Sequence, residues 1–174
     1  MEKFYSNLRS ASLGLILAVC TVLYGQGLGI AFGVNEDAIK ERLNASAILV
    51  KDTVYNSDEA LIKPVLSKSW NYMIRAHLHA GGMGTTALVL IILVCFVGSS
   101  QVLVRLSSFG LGFGGLGYSI FWMWAGFRAP GLGSTSAAKE SLKLLAMPSS
   151  GMFVLATLIV LIHVINFTLR RNAN

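Results

Sequence analysis

The sequence predicts an all-α integral membrane protein: a four-transmembrane-helix bundle with a short helical extramembrane loop between spans one and two. Three observations predict it. Of the 174 residues, 54% are hydrophobic and 13% charged, against about 25% charged in soluble domains. Apolar runs cover residues 11–33, 70–98, 102–127 and 149–169, each near or above the ~20 residues that cross a bilayer as a helix. The runs are continuously apolar rather than alternating. That suits helices, which satisfy their own backbone groups, and not barrel strands.

The first span opens on "MEKFYSNLRSASLGLILAVC", a basic start followed by an apolar run. A secretory signal begins the same way, but this run exceeds the ~7–15 residues of a signal's apolar region. Val19 is also a poor residue before a lipidated cysteine at Cys20. An uncleaved helix is expected. The loop 34–69 holds most of the acids and is predicted to form one or two amphipathic helices on the outer face. Asn35 is a plausible N-cap for the first. Asn56, with Glu59 three residues on, offers a capping-box pattern for the second. A second outer loop is expected at 128–148, and the whole chain reads as one membrane domain.

Basic residues set the orientation. Lys3, Arg9, Arg105, Arg170 and Arg171 fall in short flanks on one side, whereas the lysines and arginines of the other side are diluted over long loops and offset by acids. Both termini are therefore expected in the cytoplasm, in a bacterial inner membrane. The net charge of +6 then reads as a topology signal and as contact with membrane lipid. No basic cluster with interleaved aromatics points to nucleic acid. Cys20 and Cys95 lie in apolar runs, where a thiol is ordinary packing. The chain contains no CxxC, haem-attachment motif, P-loop or Ser/Cys–His nucleophile pattern, so nothing in it spells out an enzyme. The matches to the N-glycosylation pattern at Asn44 and Asn166 carry no weight in so short a sequence.

Glycine spacing is the most distinctive feature. Gly25, Gly29 and Gly33 fall four apart in "YGQGLGIAFG", and Gly110, Gly114 and Gly117 share a face in "GLGFGGLG". Small residues at such spacing let helix backbones approach closely in lipid. The alternative is that they make room for a flat cofactor ring.

The segment "RAHLHAGGMG", 75–84, sets ionisable groups near the mouth of span two. If that span enters the bilayer at Trp70, the helical rise puts Arg75, His77 and His79 about 7, 10 and 13 Å deep. Tyr24 and Gln26 on span one and Tyr118 on span three come to a similar level, below an aromatic belt of Trp70, Tyr72, Trp122 and Trp124. Intramembrane ionisable groups are costly and usually have partners or work to do. One reading is interfacial: Arg75 and the histidines bond loop carbonyls and lipid headgroups. The others are functional: haem b ligated by His79 or His77, a copper site of His79, His77 and Met83, or a quinone held by Arg75 and a histidine. Residues two apart on a helix point about 200° away from each other. His79 is therefore expected to face the bundle, with Arg75 and Met83, and His77 its edge or a partner. His163 lies deeper, where a polar contact with Asn166 is expected.

"RAHLHAGGMG" following "SWNYMI", with "YGQGLGIAFGVNEDAIKERL" upstream, resembles a group of small four-helix bacterial membrane proteins with an R-A-H-x-H segment at the start of the second span. The resemblance covers most of the chain and implies the four-span fold, with no established activity. The H-x-H is also loosely similar to small proteins related to haem-copper oxidase subunit one, but three histidines are too few for an oxidase core. The expected function is an accessory or anchoring subunit of a larger bioenergetic membrane assembly, in contact with other membrane subunits. The competing class is an autonomous oligomeric carrier or channel.

Overall fold

The structure, a computed structural model, describes residues 1–98 and 100–171. Among these residues it is built from helices alone: α1 (Glu2–Ser10), α2 (Ser12–Ile48), α3 (Lys51–Val54), α4 (Glu59–Val97), α5 (Gln101–Leu132), α6 (Thr135–Glu140) and α7 (Lys143–Arg171). Three of them, α2, α4 and α7, are long and apolar enough to cross a membrane, which is compatible with an integral membrane protein. α5 is 32 residues long, but its glycines and serines dilute its apolar character. It is nevertheless the most enclosed helix, packed along α2, α4 and α7 together.

The expected outer loop 34–69 is the main departure. Instead of separate helices lying on the surface, α2 runs on to Ile48 and α4 begins at Glu59, so the two spans extend into a helical hairpin closed by α3. α4 alone, at 39 residues, is about 58 Å long, well beyond the ~30 Å of a bilayer core. Asn35, with φ −126° and ψ 26°, marks a kink at which two helices meet within α2, at the place where the sequence predicts a helix start. The cap of α4 is Asp58, whose carboxylate accepts from the Ala60 N–H at 2.8 Å. Asn56 and Ser57 take positive φ in the preceding turn, so the capping box expected at Asn56 is not formed. The hairpin has its own apolar seam, in which Ala47, Tyr55 and Ile62 are buried. Lys51 pairs with Glu59 across its tip at 2.6 Å. The expected loop 128–148 is likewise mostly helical, filled by the end of α5, by α6 and by the start of α7.

A separate cluster at the opposite end sets Phe4, Leu8 and Ala11 with Ala156, Val160 and Val164. α1 and the C-terminal half of α7 therefore share one end of the bundle. The side chains of Arg170 and Arg171, used above for orientation, lie outside the described part. Asn7, 1% exposed, seals this end: its amide donates to the carbonyls of Cys95 at 3.0 Å and Gly98 at 3.2 Å. These are carbonyls that the last turn of α4 leaves without intrahelical partners.

Glycine contacts govern how closely the helices approach. A methyl group added at Gly114 would lie 2.6 Å from the Ser149 carbonyl oxygen, and one at Gly110 would lie 3.0 Å from Ala156 Cβ. Gly117 abuts the Ser149 hydroxyl. This face of α5 is thus filled by the backbone of α7. On α2, Gly25 meets Ala80 and Gly81 of α4, and Gly29 meets the His77 ring. Gly33 meets nothing within 4 Å and is exposed, so it takes no part in packing. The tightest approach to a neighbouring backbone was not anticipated: Gly14 of α2 lies against the Ser108 backbone, and Gly112 of α5 against the Gly14 carbonyl.

Candidate functional site

α4 runs between α2 and α5, and this decides where the two histidines go. His77 turns to α2. Its Nδ1 lies 2.8 Å from the Gly25 carbonyl, to which it must donate because a carbonyl only accepts. The imidazole covers Gly29, where an added Cβ would come within 2.8 Å of its Cε1. The absence of a side chain at Gly29 therefore makes the place for His77.

His79 turns the other way, to α5. Its ring packs edge-on against Tyr118, with centroids 5.2 Å apart, and lies 6.0 Å from that of Trp122. Its Nδ1 is 2.8 Å from its own helix's Arg75 carbonyl, which leaves Nε2 for another partner. Arg75 follows the same face. Its guanidinium sits 5.1 Å from the Trp122 ring centre and 5.6 Å from that of Tyr72, within cation–π range. Lys139 of α6 approaches Tyr72 from outside at 6.0 Å. Beneath the charges, Tyr72, Phe121 and Ala125 are buried, with Tyr118 and Trp122 packed on them.

One polar atom here has no partner. The indole Nε1 of Trp122 is buried and makes no hydrogen bond, although such groups are normally paired. The ion pairs formed among the described residues do not include Arg75.

The polar layer expected from depth alone is thus divided. Arg75, His79 and Tyr118 come together, joined by Tyr72 and Trp122, which had been read only as an aromatic belt. Met83 also faces α5, its Cβ lying 3.6 Å from where a Cβ on Gly115 would be. Tyr24 belongs instead to the α2–α4 seam with Leu28, Phe32, Met73 and Ala76. Gln26 is exposed and does not enter the layer. His77 and His79 occupy different seams; His77, expected at the bundle's edge or against a partner, packs on Gly25 and Gly29 of α2. No group of three His, Cys, Asp or Glu side chains suited to a metal ion occurs among the described residues. His163 is buried and bonds the Ile159 carbonyl of its own helix at 2.8 Å, while Asn166 is exposed.

No family model matches the sequence, and no curated protein or solved structure matches it.

Proposed function

We propose that the chain is a four-span protein of a bacterial inner membrane with both termini cytoplasmic. In this reading it is an anchoring or accessory subunit of a larger bioenergetic assembly, and it holds a quinone-type ring against the Arg75–His79 face of α4. The fourth span is α5. It runs along all three apolar helices, so it crosses wherever they cross. Its glycines lower its apolarity while allowing the close contacts that hold helices together in lipid.

The observation that carries the ligand reading is the unpaired indole N–H of Trp122 beside Arg75 and His79. A quinone offers two carbonyl acceptors on a flat apolar ring. Arg75, which is in none of the ion pairs of the described residues, Trp122 and His79 supply donors, and Tyr118 and Tyr72 supply aromatic walls. This choice is favoured over haem because neighbouring helices fill the glycine faces that would admit a macrocycle. It is favoured over copper because the two histidines sit in separate seams.

The test is tryptophan fluorescence of the purified full chain titrated with a short-chain benzoquinone. Saturable quenching is expected in the wild type and in His77→Ala. It should be lost in Trp122→Phe and weakened on the order of tenfold in Arg75→Gln, the scale of one charge-assisted hydrogen bond. Quenching that rises linearly in the wild type, without saturation, would overturn the quinone assignment.

A further inference from the structure

At the end of the bundle opposite the Arg75 layer, α1, α2 and α5 line an open cavity of about 590 Å³. Its polar wall consists of Ser6, Arg9, Ser10, Ser12, Gln101 and Arg105, and its apolar wall includes Leu13, Leu106 and Phe109. We infer that this cavity binds an anionic phospholipid, its phosphate held between Arg9 and Arg105 and its acyl chain lying along Leu13, Leu106 and Phe109. The inference rests on the reading that α2 and α5 cross a membrane.

Charge complementarity is the first support. No carboxylate occurs between residues 3 and 35 or between 60 and 139, so the three helices bring only Glu2 to this end. The ion pairs formed among the described residues use neither arginine. Two guanidiniums outside the ion pairs of the described residues attract an anion, and their planar donor forks match phosphate oxygens. The hydroxyls add neutral donors. Ser6 accepts from the Gln101 amide at 2.5 Å, which leaves its own proton free for a phosphate oxygen.

Preorganisation is the second. α1 is fixed by the buried Asn7 bonds to Cys95 and Gly98 and by Phe4 stacked on Phe96, with centroids 4.4 Å apart. Arg9 is thereby held opposite Arg105 without the ordering cost of a free N-terminal segment. The apolar wall distinguishes a lipid from free phosphate. Leu13 and Leu106 are more than half exposed and continue the cavity onto the outer faces of α2 and α5, where an acyl chain buries apolar surface and an inorganic ion gains nothing.

The test uses the full chain in a neutral detergent, titrated separately with phosphatidylglycerol, phosphatidylcholine and inorganic phosphate. Native mass spectrometry and the unfolding midpoint are the readouts. Phosphatidylglycerol is expected to bind and to raise the midpoint, with phosphatidylcholine and inorganic phosphate much weaker. Arg9→Gln/Arg105→Gln should lower phosphatidylglycerol affinity by on the order of a hundredfold, about tenfold per arginine. Arg42→Gln, on the hairpin, should leave it unchanged. Both arginines are exposed, and circular dichroism of the double variant verifies that it is folded. Equal binding of the two lipids, undiminished binding by the folded double variant, or inorganic phosphate matching the lipid would each overturn the proposal. Resistance of the chain to carbonate extraction from membranes tests the spanning reading independently.

Discussion

Asn7 and Tyr55 are buried at opposite ends of the bundle, where each bonds backbone carbonyls at the end of a helix. Asn7 serves α4. Tyr55, 1% exposed, donates its hydroxyl to the Pro130 carbonyl at 2.7 Å and so ties the hairpin tip to the end of α5. Asn7→Ala should cost about 1–3 kcal/mol, the penalty of stranding buried acceptors, measurable by unfolding in detergent. Asn7→Asp should cost more, since it sets acceptors against acceptors. Tyr55 also carries a pH signature. Burial pushes its phenol above the ordinary tyrosine value, so its contribution is complete below that value, near pH 10, and is lost as pH rises through the folded-state value. The stability difference between wild type and Tyr55→Phe should therefore be constant from pH 7 to 9 and shrink above it. A difference that widened with pH would reverse the sign argued here.

Between elements, glycine decides which helices touch and how closely. Gly112→Leu and Gly114→Leu drive an isobutyl group into the backbones of α2 and α7, respectively, and each should cost at least the ~1–3 kcal/mol typical of overpacking. Gly33→Leu should be nearly neutral, because nothing lies within 4 Å of its position. Comparing the unfolding midpoints of the three variants checks this. Gly29 is a different case. Its neighbour is the movable end of His77, so Gly29→Leu should expel the imidazole and break its bond to the Gly25 carbonyl. A shift in the His77 proton resonance without loss of helix content is the expected reading. The hairpin formed by the ends of α2 and α4 follows from the same economy. Leu43, Ala47 and Ile62 give the polar extensions a buried stripe of their own, so they pack on each other instead of lying on a membrane surface.

At the scale of the whole molecule, α1 and the C-terminal half of α7 share one end and the hairpin tip occupies the other. This fixes relative topology, and the basic flanks supply the direction. Single cysteines placed at Asn44 and at Lys3 in a variant lacking Cys20 and Cys95 test it with an impermeant thiol reagent on intact cells. Labelling at Asn44 alone is expected, and labelling at Lys3 alone would place the Arg75 layer in the cytoplasmic half.

Apolar run length and composition by themselves determined the helical class, the approximate place of the three long apolar helices, and the separation of His77 from His79, because helical rise and angle per residue are properties of the backbone. Spacing also picked out Gly25, Gly29, Gly110, Gly114 and Gly117, all of which lie in close contacts. Local pattern could not say which helix each face would meet. That Gly14 meets Ser108, that Asn7 reaches Cys95 across 88 residues, and that Trp122 rather than Gln26 joins Arg75 depend on the order of helices in the bundle. Tertiary structure alone decided these, since such contacts join residues far apart in the chain, and nothing in the local sequence of either partner encodes the other.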